Sequence, residues 1–165
     1  MTPPDRSNLI AEYGAAPAFL DEALARFPRE MWHFKPSETD WSIHEIIVHI
    51  TDSEANSYIR ARRMIAEPGL HLMAYDENEW ARALDYQHLD TQDAVELFRW
   101  LRGNTHKLIR TLPESTWAHS AYHPENGIIS LDDWLNTYAR HVKDHVAQMD
   151  WVKKQWEERG KPTTS

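Results

Sequence analysis

The strongest constraint on the fold is a repeat of apolar residues at three- and four-residue steps, present in four separate stretches of one 165-residue chain. A helix with that spacing carries a single apolar stripe and has to bury it against a neighbour. The first stretch covers residues 8–26, where Leu9, Tyr13, Leu20, Leu24 and Phe27 share a face; Pro17 is expected to kink it or fray its first turns. The second opens on Ser42 and Glu45, a capping box that satisfies two orphan N–H groups reciprocally. It carries Ile43, Ile46, Ile47, Ile50, Ser57 and Ala61 on one side and stops at "EPG", residues 67–69. The third starts near Thr91, has Ala94, Leu97, Leu101, Leu108 and Leu112 as its stripe, and is closed by Pro113. The fourth is capped by Ser130, with Asp132 and Asp133 at the positive end of the helix dipole. Its stripe is Leu131, Trp134, Leu135, Tyr138, Val142, Met149 and Val152, and it is expected to reach about Glu158, leaving "GKPTTS" as a frayed tail.

No segment alternates apolar and polar residues between turn residues, so no strand is predicted. The expected fold is all-α, a four-helix bundle. Residues 68–90 and 113–129 make two long links, the first with a short helix near residues 78–84. Up-and-down bundles use short loops, so at least one crossover connection is expected.

Composition narrows the function. The length fits one domain, and 41% hydrophobic with 27% charged residues fits an ordinary globular protein. The absence of cysteine excludes disulfides, a Cys nucleophile and thiolate metal sites held by this chain. It agrees with a reducing cytoplasm, as does a start without a basic region followed by an apolar run. No stretch is apolar enough for a membrane helix. A net charge of −8 argues against a nucleic-acid partner, and the cluster "RARR" at residues 60–63 reads as a solvated helix face.

Ten histidines are many for this length. His141 and His145 stand four apart inside the fourth stripe, about 40° from each other at 3.6 residues per turn. Two inward imidazoles need hydrogen-bond partners or a metal on their nitrogens, and they resist being charged together. The pair reads equally as metal ligands or as two hydrogen-bonded core histidines. A third ligand would come from another helix. His49, at the edge of the second stripe beside Ser53 and Asn56, is the best helical candidate. His44 lies further round that helix, and His106 falls opposite its stripe and is expected in solvent. His119 and His123 lie in the loop-like "AHSAYHPENG" and are expected at the surface or on a site rim; His33, His71 and His88 sit in connections. Three neutral imidazoles would suit Zn²⁺ or Ni²⁺ with an open position. Asp52 and Asp144 are candidates to orient the rings, although both read more simply as solvated helix residues.

Four segments resemble the DinB superfamily, and within it the YfiT-like branch of metal-dependent enzymes: "FKPSETDWSIHEIIVHITDSE" (34–54), "AYDENEWA" (74–81), "LRGNTHKLIRTLP" (101–113) and "HPENGIISLDDWLNTYARHVKDHVAQM" (123–149). The resemblance implies one DinB-like bundle domain over residues 1–165, with its core at about 8–158. It implies a crossed connection and a homodimer. It also implies a metal site of one histidine from the second helix and two from the fourth, here His49, His141 and His145. Some members of the family use low-molecular-weight thiols such as bacillithiol or mycothiol in transfer or isomerisation; others are described as hydrolases.

The expected function is therefore that of a metal-dependent enzyme on a small molecule, either a thiol-dependent transferase or a hydrolase, with one divalent ion and, in the first case, an external thiol. The competing class is a non-catalytic dimeric bundle that holds a metal for stability or responds to stress. No general base stands out among Asp52, Glu54, Asp76 and Glu77, each of which reads more simply as structural or exposed.

Overall fold

A computed structural model describes residues 1–159. The "GKPTTS" tail lies outside the described residues. Five helices and one hairpin follow in the order α1 (Pro3–Leu24), α2 (Ile43–Ala66), α3 (Glu77–Ala83), α4 (Thr91–Ile109), β1 (Ser120–His123), β2 (Gly127–Ser130) and α5 (Leu131–Arg159).

Local chemistry sets the helix ends. α1 begins earlier than its apolar stripe, because Thr2 caps it and Pro3 and Pro4 preset its first turn. It runs through Pro17 without a break. α2 starts on the expected box: Ser42 Oγ accepts from the Glu45 N–H at 3.2 Å, and Glu45 Oε2 accepts from the Ser42 N–H at 2.8 Å. α5 repeats the device with Asp133 in the acid's place, its Oδ2 accepting from the Ser130 N–H at 2.8 Å.

The four long helices pack as a ring in the order α1, α4, α2, α5. Neighbours in the ring are α1–α4, α4–α2, α2–α5 and α5–α1. The α1–α2 and α4–α5 connections therefore both cross a diagonal, while the link of residues 67–90 joins the neighbours α2 and α4 and holds α3.

Two expectations fail. The absence of strands is wrong: Ser120–His123 and Gly127–Ser130 form an antiparallel hairpin, with Tyr122 opposite Ile128 and Gly127 at φ 71° in its turn. The strands have four residues each, too few for alternation to register. β1 also bonds residues 70–72, through Tyr122 N–H to Leu70 O at 2.9 Å and Leu72 N–H to Tyr122 O at 2.8 Å. The two long links are thus stitched together.

The α4 stripe is also wrong. Its buried face is Val95, Phe98, Arg102, Thr105 and Ile109, while Leu97 is exposed and Leu101 and Leu108 are half-buried. Two polar residues at the centre of the true face broke its apolar count. His106 is not free in solvent either. It is half-buried against α1, where a Cβ on Gly14 would lie 2.6 Å from its ring.

Those polar residues belong to a layer across the middle of the bundle. One apolar cluster gathers Leu20, Met31, Trp32, Ile43, Ile46 and Phe98 at one end; the other gathers Met64, Trp117, Leu131 and Trp134. Between them Arg102, fully buried, donates from Nη2 to Glu54 Oε2 at 2.6 Å. The Tyr13 hydroxyl donates to Glu54 Oε1 at 2.5 Å, and Arg102 stacks on the Tyr13 ring at 3.9 Å. Nη1 of Arg102 donates to the Tyr138 carbonyl at 3.0 Å and reaches the Tyr13 carbonyl at 3.5 Å. Pro17 has no N–H to offer that Tyr13 carbonyl, so Arg102 supplies what the helix cannot. Burial pushes the Glu54 carboxyl up, and the guanidinium and the Tyr13 hydroxyl hold it back toward the ionised form.

Arg102→Met is expected to cost about 3–5 kcal/mol, because it strands Glu54 as a buried charge. The pair Arg102→Met, Glu54→Leu should recover most of that in chemical denaturation. A single variant within about 1 kcal/mol of wild type would contradict the assignment.

Candidate metal centre

Three histidines meet beside this polar layer. α2 supplies His49, and α5 supplies His141 and His145 one turn apart. One ligand nitrogen from each lies within 4.8 Å of the others. Nε2 of His141 and of His145 are 3.2 Å apart. The ring centroids of His49 lie 5.5 Å from His141 and 4.7 Å from His145. With metal–nitrogen bonds of about 2.0–2.1 Å, tetrahedral ligand nitrogens stand roughly 3.3 Å apart. The closest pair already has that spacing, and the His49 nitrogen lies within 4.8 Å of both.

His49 is 0% exposed, and neither of its nitrogens has a hydrogen-bond partner. An orphaned buried polar atom costs about 1–3 kcal/mol, and an ion at Nε2 would remove one such cost. Burial, with His145 beside it, lowers the His49 pKa to about 3. Burial lowers His141 well below its ordinary value, with His145, His49 and Arg102 adding to the effect. It lowers His145 too, against the opposing pull of Gln148 and Asp144. All three rings are neutral near pH 7, the state in which imidazole donates a lone pair. The residues present therefore fit a divalent ion with nitrogen ligands.

The orienting groups are not the expected ones. Asp52 accepts from the Tyr86 hydroxyl at 2.6 Å, and Asp144 is exposed. Gln148 takes the role instead: its Oε1 lies 2.8 Å from His145 Nδ1. An amide oxygen only accepts, so the proton sits on Nδ1 and the Nε2 lone pair faces His141. Gln148 stands three residues after His145, a helical spacing that could have singled it out. Ser53 Oγ lies 3.3 Å from His141 Nε2.

A cavity of about 180 Å³ opens from His141 and is walled by Ser53, Arg60, Tyr75, Glu77, His123 and Tyr138, among others. Of the four acidic candidates, Glu54 is spent on Arg102 and Asp76 caps α3. Only Glu77 reaches the cluster, with Oε2 3.9 Å from His49 Nε2. Of the two places expected for His123 it takes the site rim: β1 buries it in the cavity wall, while His119 Nδ1 lies 3.3 Å from the Met64 carbonyl. The "RARR" cluster is not one solvated face either. Arg60 turns into the cavity, and Arg62 bonds Thr105 and Asn104.

A sequence model described as the DinB superfamily matches residues 12–149. A protein of Oceanobacillus iheyensis named "Putative metal-dependent hydrolase" is 33% identical over 149 residues, 89% of this chain and 86% of the relative. YfiT of Bacillus subtilis, which bears the same description, is 31% identical over 138 residues, 79% of this chain and 78% of its own. The solved structure of YfiT superposes with a TM-score of 0.86 at 25% identity over 95% of this chain and 90% of that one. It is described as having "an unusual four-helix bundle topology". A mycothiol-dependent maleylpyruvate isomerase superposes with a TM-score of 0.70 at 10% identity, over 87% of this chain and 60% of that one; this likeness concerns the fold alone.

Gln148→Leu should weaken divalent-ion uptake roughly 10–100-fold, because the His145 ring loses its anchor and its fixed tautomer. Competition against a coloured chelator measures this, with helical circular dichroism unchanged. Equal affinity in the variant would remove Gln148 from the site.

Proposed function

The chain belongs to the DinB superfamily, in its YfiT-like branch, and from that premise we propose that it is a metal-dependent enzyme acting on a small molecule, with His49, His141 and His145 holding one divalent ion. The observation that carries this reading is the convergence of three neutral imidazoles, His49 buried and His141 and His145 half-buried, with His141 in the wall of a cavity. The metal-dependent hydrolase names of the relatives support it. A donor set of three imidazoles favours Zn²⁺ or Ni²⁺.

Such an ion supplies Lewis acidity at the cavity wall and makes a bound water or thiol more acidic. The chain's own groups handle the rest. Glu77 is the carboxyl nearest the cluster. Glu77 is about half exposed, and its partial burial, with Asp76 and Glu125 nearby, raises its pKa above that of an ordinary carboxylate. Burial pushes the Tyr75 phenol up to about 12 and raises Tyr138, so both remain protonated donors into the cavity. Hydrolysis needs a proton taken from the nucleophile and one given to the leaving group, and we assign both transfers to Glu77 as the carboxyl nearest the histidines. In a thiol-transfer reaction the sulfur would come from outside, since the chain has no cysteine.

Elemental analysis of the purified protein should find one divalent ion per chain. His145→Ala should lose that ion while the bundle stays helical, because helix content comes from the packed stripes. Glu77→Gln should keep the metal and lose about a hundredfold or more in turnover on an ester and amide panel. A generic thiol with an electrophilic dye tests transfer in parallel. Sub-stoichiometric metal with melting unchanged by chelation would sink the metal centre. Full metal with neither reaction would favour a binding module.

A further inference from the structure

Among the described residues Arg60 is the one cation in the wall of the cavity that opens on His141. It lies about three turns beyond His49 on α2, with its side chain turned toward α5. Its Nη1 donates to the Tyr138 hydroxyl at 3.1 Å, and its Nη2 donates to the Met73 carbonyl at 2.6 Å. Both acceptors are neutral. Among the described residues Arg60 meets no carboxylate, as is also true of Arg29, Arg62, Arg110, Arg140 and Arg159; what sets it apart is its place in the wall of this cavity. A guanidinium carries more N–H donors than those two bonds use, in a planar fork that matches a carboxylate.

The groups around it add donors. Tyr138 accepts from Arg60, so its own hydroxyl proton points elsewhere, and the Tyr75 hydroxyl lines the same cavity. Two larger cavities also border Arg60: one of about 330 Å³ shares Tyr75 and includes Arg63, which pairs with Glu67, and one of about 490 Å³ shares Tyr138. Their outer walls include Met73 and Ile128, both 79% exposed. Arg60 and the two hydroxyls beside it, with apolar side chains outside, offer an organic anion a fork of donors, and Glu77 and Glu125 in the same wall limit the charge it can carry.

We propose that Arg60 anchors the carboxylate of the small molecule on which this site acts, with the rest of that molecule running toward His141. The choice of carboxylate over phosphate follows from charge. Glu77 and Glu125 line the same cavity, and a dianion would face both of them with only one guanidinium in compensation. A monoanion adds the least charge to that wall and is the anion whose two oxygens the single planar fork fits. Glu77 stands near His49, so the cavity is polarised, cationic toward Arg60 and acidic toward the histidines. The proposal rests on the metal-centre reading for what happens at the histidine end; the anchor itself stands on the surroundings of Arg60.

The test compares mercaptopropionate with mercaptopropanol, which differ in carboxylate against neutral hydroxymethyl. Each is titrated by calorimetry into the full chain, once loaded with Co²⁺ and once metal-free. Wild type should prefer the carboxylate about tenfold or more in both forms. Arg60→Gln should erase that preference while Co²⁺ uptake, read from its visible spectrum, and the affinity for mercaptopropanol stay unchanged. Arg60→Lys keeps the charge without the fork and should retain part of the preference, which guards against a Gln variant that merely misfolds. No preference in wild type, or a preference that survives Arg60→Gln, overturns the proposal. So does inorganic phosphate displacing mercaptopropionate more strongly than propionate does. Failure to take up Co²⁺ would overturn the metal centre and leave the anchor to be decided by the metal-free titration alone.

Discussion

The buried ion pair of Arg102 and Glu54 is the constraint on which the arrangement of this bundle depends. A single guanidinium on α4 binds a carboxylate on α2, a carbonyl on α5 and a carbonyl on α1. All four long helices meet at one side chain. Packed apolar stripes can slide or rotate against one another at modest cost, because dispersion contacts are not directional. A charged fork with fixed acceptors cannot, since any slip leaves a buried charge unpaired. The pair need not add net stability to fix the register in this way. The registry it sets matters at once for the site: Ser53 precedes Glu54 on α2, and Tyr138 lies one turn before His141 on α5.

The polar layer also explains which parts of the chain were legible. The capping box and stripe of α2 and the whole stripe of α5 read correctly, because each places apolar residues at the buried positions. α4 did not, because Arg102 and Thr105 hold the centre of its buried face and an apolar count settles on the leucines beside it. A fully buried arginine is rare enough that nothing local announces it; its partners are 48 residues away at Glu54 and 36 at Tyr138. The hairpin escaped for a related reason. Its pairing depends on a neighbouring link, residues 70–72, which a local pattern cannot see.

The candidate site divides along the same line. His141 and His145 are visible from helical spacing alone. His49 looked like an edge position, and the structure buries it completely beneath Trp41, whose ring lies 4.7 Å away. Gln148 obeys a spacing rule but carries no charge or ring to attract notice. Arg60 was misread outright, because three arginines in four residues look like a solvated run. Only the fold separates them, sending Arg60 to Tyr138, Arg62 to Thr105 and leaving Arg63 with Glu67.

The helices and the links therefore carry different parts of the chemistry. The imidazoles project from α2 and α5, held in register by the ion pair, so the geometry of any ion there is set by the most rigid part of the molecule. Tyr75 and Glu77 come from the link that follows α2 or from the start of α3, and His123 from the hairpin. Those two links are joined by the backbone bonds of Leu70 and Leu72 to Tyr122, and Arg60 ties one of them back to α2 through the Met73 carbonyl. Arg60 thus belongs to both parts: it grows from a rigid helix, and its fork holds the wall that a ligand would touch. A change in either link would reshape the cavity while leaving the histidines where they are. The diagonal link that carries the hairpin and the long link between the neighbours α2 and α4 are, in this chain, what gives the histidine cluster a cavity to act in.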